Sequence, residues 1–268
     1  MPRLVTAFSN ATVKRLRSLR DKKHRRAEGL FLAEGLRILT EARGSGRLPE
    51  IVAFSAEGAK HPLAADIIAA TEAAGGEAIE TTPDILSKMS GKDNPQMLLG
   101  AYRQPDVSLA HIDRSKAPLW IVAQALRDPG NIGTILRTGD AAGAGGLILI
   151  DECADPYSVE AVRASMGAIF TQDIAAARWD EFVPWLRSGE GQLVGTSLKA
   201  TEDYLAADYC RPCFLLIGNE QQGLPAEYEA ECDLLVKIPM AGRADSLNAA
   251  MAAAVMAFQV TASWRMKP

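Results

Sequence analysis

The apolar positions fall into two periodicities, and the clearest case lies near the C-terminus. Leu247, Ala250, Met251, Ala254, Val255 and Phe258 recur at helical spacing, while Ala249, Ala252, Ala253, Met256 and Ala257 make the opposite face apolar too. Such a helix is buried on both sides, in a core or against a partner chain. Ser246 stands where its N-cap belongs. A short apolar run, Leu234, Leu235, Val236 and Ile238, precedes it, separated by a polar loop after Pro239. Ser246-Leu247-Asn248 is either a place for chemistry or a plain capped junction.

The same reading along the rest of the chain predicts alternating strands and helices. Asn10 caps a helix over 11–27, followed by a strand at 30–33, a helix at 35–42, a strand at 50–54 and a helix at 63–74. A strand at 77–79, a helix at 83–89 and a closing strand at 96–103 complete a small α/β/α domain, residues 1–103. A polar, Pro-bearing linker spans 104–117. The second domain, 118–268, opens with a strand at 119–124, a helix from Asn131 to Ala142 and a strand at 146–150. Next come a helix at 158–165, a strand at 169–174, a helix at 179–187, strands at 192–196 and 213–217, a short helix after Pro225 and a strand at 233–238.

Charge changes this picture at one end. Residues 1–26 hold nine Lys and Arg against a single acid, Asp21, and subtraction from the totals of 29 and 33 leaves 20 basic and 32 acidic residues elsewhere. A basic arm on an acidic body fits an anionic partner docking at one place. A solvated helix face, a transit peptide and a phosphate-contacting surface all have this composition. The helical stripe Val13, Leu16 and Leu19 favours a folded, nucleic-acid-binding arm, with Lys14, Arg15, Lys22, Lys23, Arg25 and Arg26 as its contacts. No apolar run approaches the roughly 20 residues of a membrane span. The four cysteines include one Cys210-x-x-Cys213 pair with no second ligand pair or nearby His, so reduced thiols in a cytoplasmic protein are expected, with no metal.

Several motifs fail on context. The glycines at Gly143, Gly145 and Gly146 precede a strand, the wrong order for a dinucleotide fingerprint, and Gly218 to Gly223 lacks the Lys-Ser/Thr of a phosphate loop. All three histidines precede the second domain, which excludes a His-based triad there. Three polar loops at strand ends remain: Asp128-Pro-Gly-Asn-Ile-Gly with Arg137 beyond it, Gly218-Asn-Glu, and Ser246-Leu-Asn. In open α/β sheets ligands bind beyond the carboxyl ends of strands, so the three can converge on one pocket.

These stretches, in order and spacing, resemble the signature motifs of the SpoU/TrmH family of RNA ribose 2′-O-methyltransferases, in the SPOUT superfamily. The motifs are Asp128-Pro-Gly-Asn-Ile-Gly-Thr-Ile-Leu-Arg-Thr-Gly-Asp-Ala-Ala-Gly, Leu216-Ile-Gly-Asn-Glu-Gln-Gln-Gly-Leu and Ile238-Pro-Met-Ala-Gly-Arg-Ala-Asp-Ser-Leu-Asn. Arg163-Ala-Ser-Met-Gly-Ala and Gly195-Thr-Ser-Leu also look family-like. The portion from Asn10 through Gly29-Leu-Phe-Leu-Ala-Glu-Gly resembles the substrate-binding domain of ribosomal-RNA members. One departure is Ala249-Ala250, where relatives often carry Val and Ser; it is expected to tune packing.

The resemblance implies an α/β fold: a parallel-sheet SPOUT domain with a trefoil knot, preceded by an L30e-like substrate-binding domain. It implies a homodimer, an RNA substrate, ribosomal in preference to transfer RNA, and S-adenosylmethionine as cofactor. A non-catalytic RNA-binding or ribosome-assembly protein on the same fold is the competing class. On this model Thr196, Gly218, Asn219, Ile238 and Leu247 hold the cofactor, and Arg137, Asn131, Glu220, Ser246 and Asn248 line the reaction site. A guanidinium hardly deprotonates in proteins, so Arg137 is expected to grip the adjacent phosphate and stabilise the developing alkoxide. The proton acceptor stays open between that phosphate, Glu220 and water.

Overall fold

In a computed structural model, which describes residues Pro2–Met266, the chain forms two compact units. The first takes in the chain up to Pro105 together with Asp155–Thr171; the second comprises Asp106–Ala154 and everything from Gln172 onward.

In the first unit the elements are β1 (Arg3–Val5), α1 (Ala11–Ser18), α2 (Lys22–Glu28), β2 (Leu30–Glu34), α3 (Leu36–Gly44), β3 (Ile51–Ser55), α4 (Pro62–Ala73), β4 (Glu77–Thr81), α5 (Pro83–Ser90) and β5 (Leu98–Arg103). The strands order β1-β4-β3-β5-β2, with β1, β4 and β3 parallel and β5 antiparallel to both its neighbours. Leu16, Leu19, Leu30, Ile79 and Ile85 fill the core between sheet and helices.

The single helix expected over 11–27 is two. Asn10 caps α1 by accepting from Thr12 N, and Asp21 caps α2 by accepting from Lys23 N. The carbonyls left open at the end of α1 are taken by Arg25, whose Nη1 donates to Leu19 O at 2.9 Å and Arg20 O at 2.7 Å. A local cap and one returning guanidinium thus satisfy the break that helical periodicity alone would have bridged. The edge strand β1, three residues with one buried side chain, was not anticipated.

The second unit opens with β6 (Leu119–Gln124), α6 (Pro129–Ala142) and β7 (Gly146–Ile150). The segment Asp155–Thr171, expected within the second domain, packs with the first unit and carries α7 (Val159–Ser165). Tyr157 and Phe170 close on Phe31, with ring centroids 5.0 and 5.7 Å away. The second unit resumes with β8 (Asp173–Ala177), α8 (Trp179–Arg187), β9 (Gln192–Thr196), a two-residue β10 (Glu202–Asp203), β11 (Cys213–Ile217), α9 (Ala226–Ala230), β12 (Leu234–Lys237) and α10 (Ala249–Met266). Strand β8 begins four residues later than expected because Ala168–Phe170 forms a 3₁₀ turn.

All seven strands of this sheet are parallel, in the order β10-β12-β9-β11-β6-β7-β8. Parallel strands buried on both faces read as near-continuous apolar runs, which is why Cys213-Phe-Leu-Leu-Ile and Leu119-Trp-Ile-Val-Ala were legible as strands. One consequence positions the site. Strands β6, β11, β9 and β12 are consecutive neighbours, so the loops leaving their carboxyl ends gather at one edge.

Candidate active site

Helix α6 starts where Asp128 accepts from Asn131 N at 3.1 Å, with Pro129 in the first turn, where a missing N–H is no loss. This start aims the Asn131 side chain at the loop after β11. Asn131 Nδ2 donates to Glu220 Oε1 at 2.9 Å, and Asn131 Oδ1 accepts from Asn248 Nδ2 at 3.0 Å. Residues from all three loops therefore form one hydrogen-bonded line, Asn248–Asn131–Glu220.

Each end of the line is fixed locally. Asn248 Oδ1 accepts from Ala250 N at 2.9 Å and from Met251 N at 3.3 Å. Asn248, not Ser246, is thus the N-terminal cap of α10; the loop stays irregular through Leu247, and the capping carboxamide still has its NH₂ free for Asn131. In the β11 loop, Asn219 Oδ1 accepts from Gln221 N and Gln222 N, while its Nδ2 donates to Ala125 O at 2.8 Å. Ala125 holds a left-handed φ of 51° to present that carbonyl, a strain that non-glycine residues rarely carry away from functional sites.

Beside the line lies a cleft of about 240 Å³. Thr196, Gly218, Asn219, Ile238, Leu247, Glu220 and Ser246 all contribute to its wall. The Thr196 hydroxyl is turned to Leu216 O at 3.4 Å. Gly218 has no alternative residue: an added Cβ would stand 2.5 Å from the Gly223 carbonyl carbon, so any side chain would pry the loop apart. Apolar walls from Ile238 and Leu247 beside backbone polar groups suit a purine nucleoside, so the residues present fit S-adenosylmethionine. Among the described residues no His, Cys, Asp and Glu cluster has metal-binding geometry.

Arg137 is not brought to this line within one chain. It is exposed on α6, outside the cleft wall, and among the described residues no hydrogen bond or ion pair engages its side chain.

The basic arm divides sharply. Lys14, Arg15, Lys22, Lys23 and Arg26 are exposed, with Arg15 paired to Glu28. Arg25 departs from its expected role as a surface contact. It is 3 % exposed, and its Nε and Nη2 bind Asp155 Oδ2 at 3.2 and 2.6 Å. Arg17 and Arg20, counted in the basic arm but not among its contacts, and His24, which the sequence did not single out, border an open groove together with Lys14. Helical spacing would have found Arg17, three residues from Lys14.

Comparison with known proteins then decides the family. A model of the SpoU rRNA Methylase family matches residues 118–258, and one of an MRM3-like substrate binding domain matches residues 10–100. The chain belongs to the SpoU rRNA methylase family. It is similar over its whole length to an AdoMet-bound rRNA methyltransferase from Sinorhizobium meliloti, with a TM-score of 0.90, 40% identity and coverage of 97% and 98% of the two chains. It is 30% identical to the 23S rRNA (uridine(2479)-2′-O)-methyltransferase of Streptomyces viridochromogenes, covering 93% of this chain and 89% of that one. The figure for the 23S rRNA (guanosine(2553)-2′-O)-methyltransferase RlmP of Bacillus subtilis is 28%, covering 96% and 98%. The expected α/β fold, family, S-adenosylmethionine cofactor and RNA ribose methyltransferase activity are thereby borne out.

Proposed function

We propose that this SpoU methylase methylates a ribose 2′-hydroxyl of 23S-type ribosomal RNA, the substrate named for its full-length relatives from Streptomyces and Bacillus. The observation that carries the reading is the Asn248–Asn131–Glu220 line beside the cleft, a set of oriented polar groups built from three separate loops. Bound S-adenosylmethionine supplies an electrophilic methyl group. Gly218, Ile238 and Leu247 hold it through backbone and apolar contacts, with Thr196 and Asn219 beside it.

The protein's own contribution is alignment and charge placement. Positioning of reactants is worth roughly 7–11 kcal/mol in favourable cases. Asn131, Ser246 and Asn248 orient the ribose; Arg137 grips the adjacent phosphate and steadies the forming alkoxide. Of the proton acceptors open from the sequence, Glu220 is favoured, since Asn131 holds its carboxylate in place before RNA arrives.

We place Arg137 in the site through a homodimer. Leu247, just before α10, and Met251, Val255 and Phe258 on it form an exposed apolar stripe, 37 to 48 % accessible, where the sequence reads a helix buried all round. A second copy covering that stripe accounts for it and gives the unpartnered Arg137 a site to complete. RNA docking falls to Lys14, Arg15, Lys22, Lys23 and Arg26, with Arg17, Arg20 and His24 extending the surface. All four cysteines are free, which suits a reducing cytoplasm. The C-terminal trefoil knot belongs to the same reading, supported by α10 returning from β12 to pack on α6 and β11.

Ribose-methylation mapping of total RNA from a strain lacking the gene tests the substrate. Loss of one methylated position in 23S rRNA is expected; loss confined to tRNA, or no loss, overturns the ribosomal assignment.

A further inference from the structure

A second cavity, of about 500 Å³, adjoins the cofactor cleft. The end of β6 supplies Gln124, Ala125 and Arg127 to its wall, and the loop after β11 supplies Asn219, Gln222 and Pro225. Asn219, Gln222 and Leu224 line both cavities, so one loop separates them.

Gln124 is the feature without an account. Trp120 and Val122, on the same face of β6 by the strand period of two, are fully buried apolar residues in the core of the second unit. The next position on that face carries a carboxamide, 7 % exposed, whose Oε1 is closed off from solvent and has no hydrogen-bond partner among the described residues. Burying a polar group unpaired is costly, and an apolar side chain of the same size would avoid the cost. A polar residue that gains nothing from the fold gains something from a ligand carrying an N–H donor.

The position of the cavity indicates which ligand. Its two walls continue into the catalytic line, through Asp128 to Asn131 on one side and from Asn219 to Glu220 on the other. In a nucleotide the 2′-hydroxyl and the base sit on adjacent ring carbons. A ribose held at Asn131 and Glu220 must therefore send its base into a neighbouring space, and the cleft is committed to the cofactor. Arg127, paired with Glu152 at 3.1 Å and exposed at the rim, adds a cation for a flanking phosphate.

We propose that this cavity receives the base of the nucleotide that is methylated, and that Gln124 reads the base's hydrogen-bonding edge. The inference rests on the ribose-methyltransferase reading of the adjoining cleft. A half-turn of the carboxamide about its last side-chain bond carries Oε1 from its closed-off position to the cavity, where it accepts from a base N–H, the kind of hydrogen bond through which Gln discriminates bases.

Two measurements test it. In the first, single-turnover methyl transfer is followed on four RNA fragments differing only in the base at the modified position, with wild type, Gln124→Leu and Gln124→Glu. Gln124→Leu is expected to slow transfer to the preferred base by about 10- to 100-fold, leave the disfavoured bases and S-adenosylmethionine affinity unchanged, and so flatten the preference. Gln124→Glu, which exchanges a donor for an acceptor, is expected to change the ranking. Equal loss on all four RNAs, or no loss, overturns the proposal. In the second, the protein is saturated with S-adenosylhomocysteine to block the cleft and titrated with each nucleoside 5′-monophosphate. Shifts of the Gln124 side-chain NH₂ resonances, assigned by their absence from Gln124→Leu, support the proposal; none with any nucleotide at millimolar concentration overturns it. The second readout needs no turnover. A protein that transfers no methyl to RNA yet shows these shifts would lose the proposed function while keeping the base site.

Discussion

Asn248 Nδ2 meets Asn131 Oδ1 at 3.0 Å although 117 residues separate them in the chain. The same Asn248 carboxamide caps α10 through its oxygen, and Asn131 passes the connection to Glu220. One side chain thus fixes the start of a core helix and the orientation of the groups at the cleft, so folding and active-site geometry share an atom-level link.

Breaking the middle of this line is expected to cost rate and not cofactor binding. Asn131→Ala should lower the single-turnover rate by about 10²- to 10³-fold, the range for losing one preorganised polar group. Calorimetry should find S-adenosylmethionine affinity within a few-fold of wild type. An equal fall in affinity would place Asn131 in the cofactor site instead.

Arg137→Ala is expected to abolish methyl transfer with cofactor affinity again within a few-fold. Arg137→Lys should recover little, because an ammonium lacks the planar fork that holds phosphate bidentately. Near-normal turnover in either variant would remove Arg137 from the mechanism.

The sequence disclosed the parallel sheet and the three loops for a physical reason. Buried parallel strands are apolar throughout, and glycine, proline and asparagine mark the turns between them. Gly218 was legible because a tight loop demands it. Arg25 was not. Nothing in Lys22-Lys-His-Arg-Arg distinguishes a cation facing solvent from one folded back onto Leu19 O and Asp155, since its partner lies 130 residues away. Likewise Ser246 and Asn248 are both good caps; the choice fell to Asn248 because of a long-range contact with Asn131. Gln124 looked like the polar end of a strand, and only the fold shows it buried, its oxygen without a partner among the described residues.

Within the basic arm, two kinds of substitution should behave differently. Asp155→Ala removes the carboxylate that pairs a buried guanidinium and is expected to destabilise the protein by about 3–5 kcal/mol in urea unfolding. Charge reversal at Lys22, Lys23 and Arg26 should leave stability near wild type, weaken RNA binding and flatten its log–log salt dependence by about 0.7–0.9 per lost phosphate contact. An unchanged salt slope would make the arm a solvated face.

The cysteines give a pH signature. Burial pushes the Cys153 thiol up to about 11 and the Cys232 thiol up to about 12. In both, the folded state keeps its protons after the unfolded chain has lost them, so their contribution to stability is intact below pH 9 and lost as pH rises to 11 and beyond. Urea midpoints should fall over that window, and fall less in Cys153→Ser. At pH 8 a thiol reagent should modify exposed Cys210 well before Cys153. Equal rates would contradict the burial account.

The most direct test is the chemistry itself. Purified protein, S-adenosylmethionine labelled in its methyl group and unmodified ribosomal RNA should give label in a single alkali-resistant dinucleotide, because a methylated 2′-oxygen cannot attack the neighbouring phosphate. Label released with alkali-labile nucleotides or carried on a base, or an Arg137→Ala protein that labels as fast as wild type, would contradict the account.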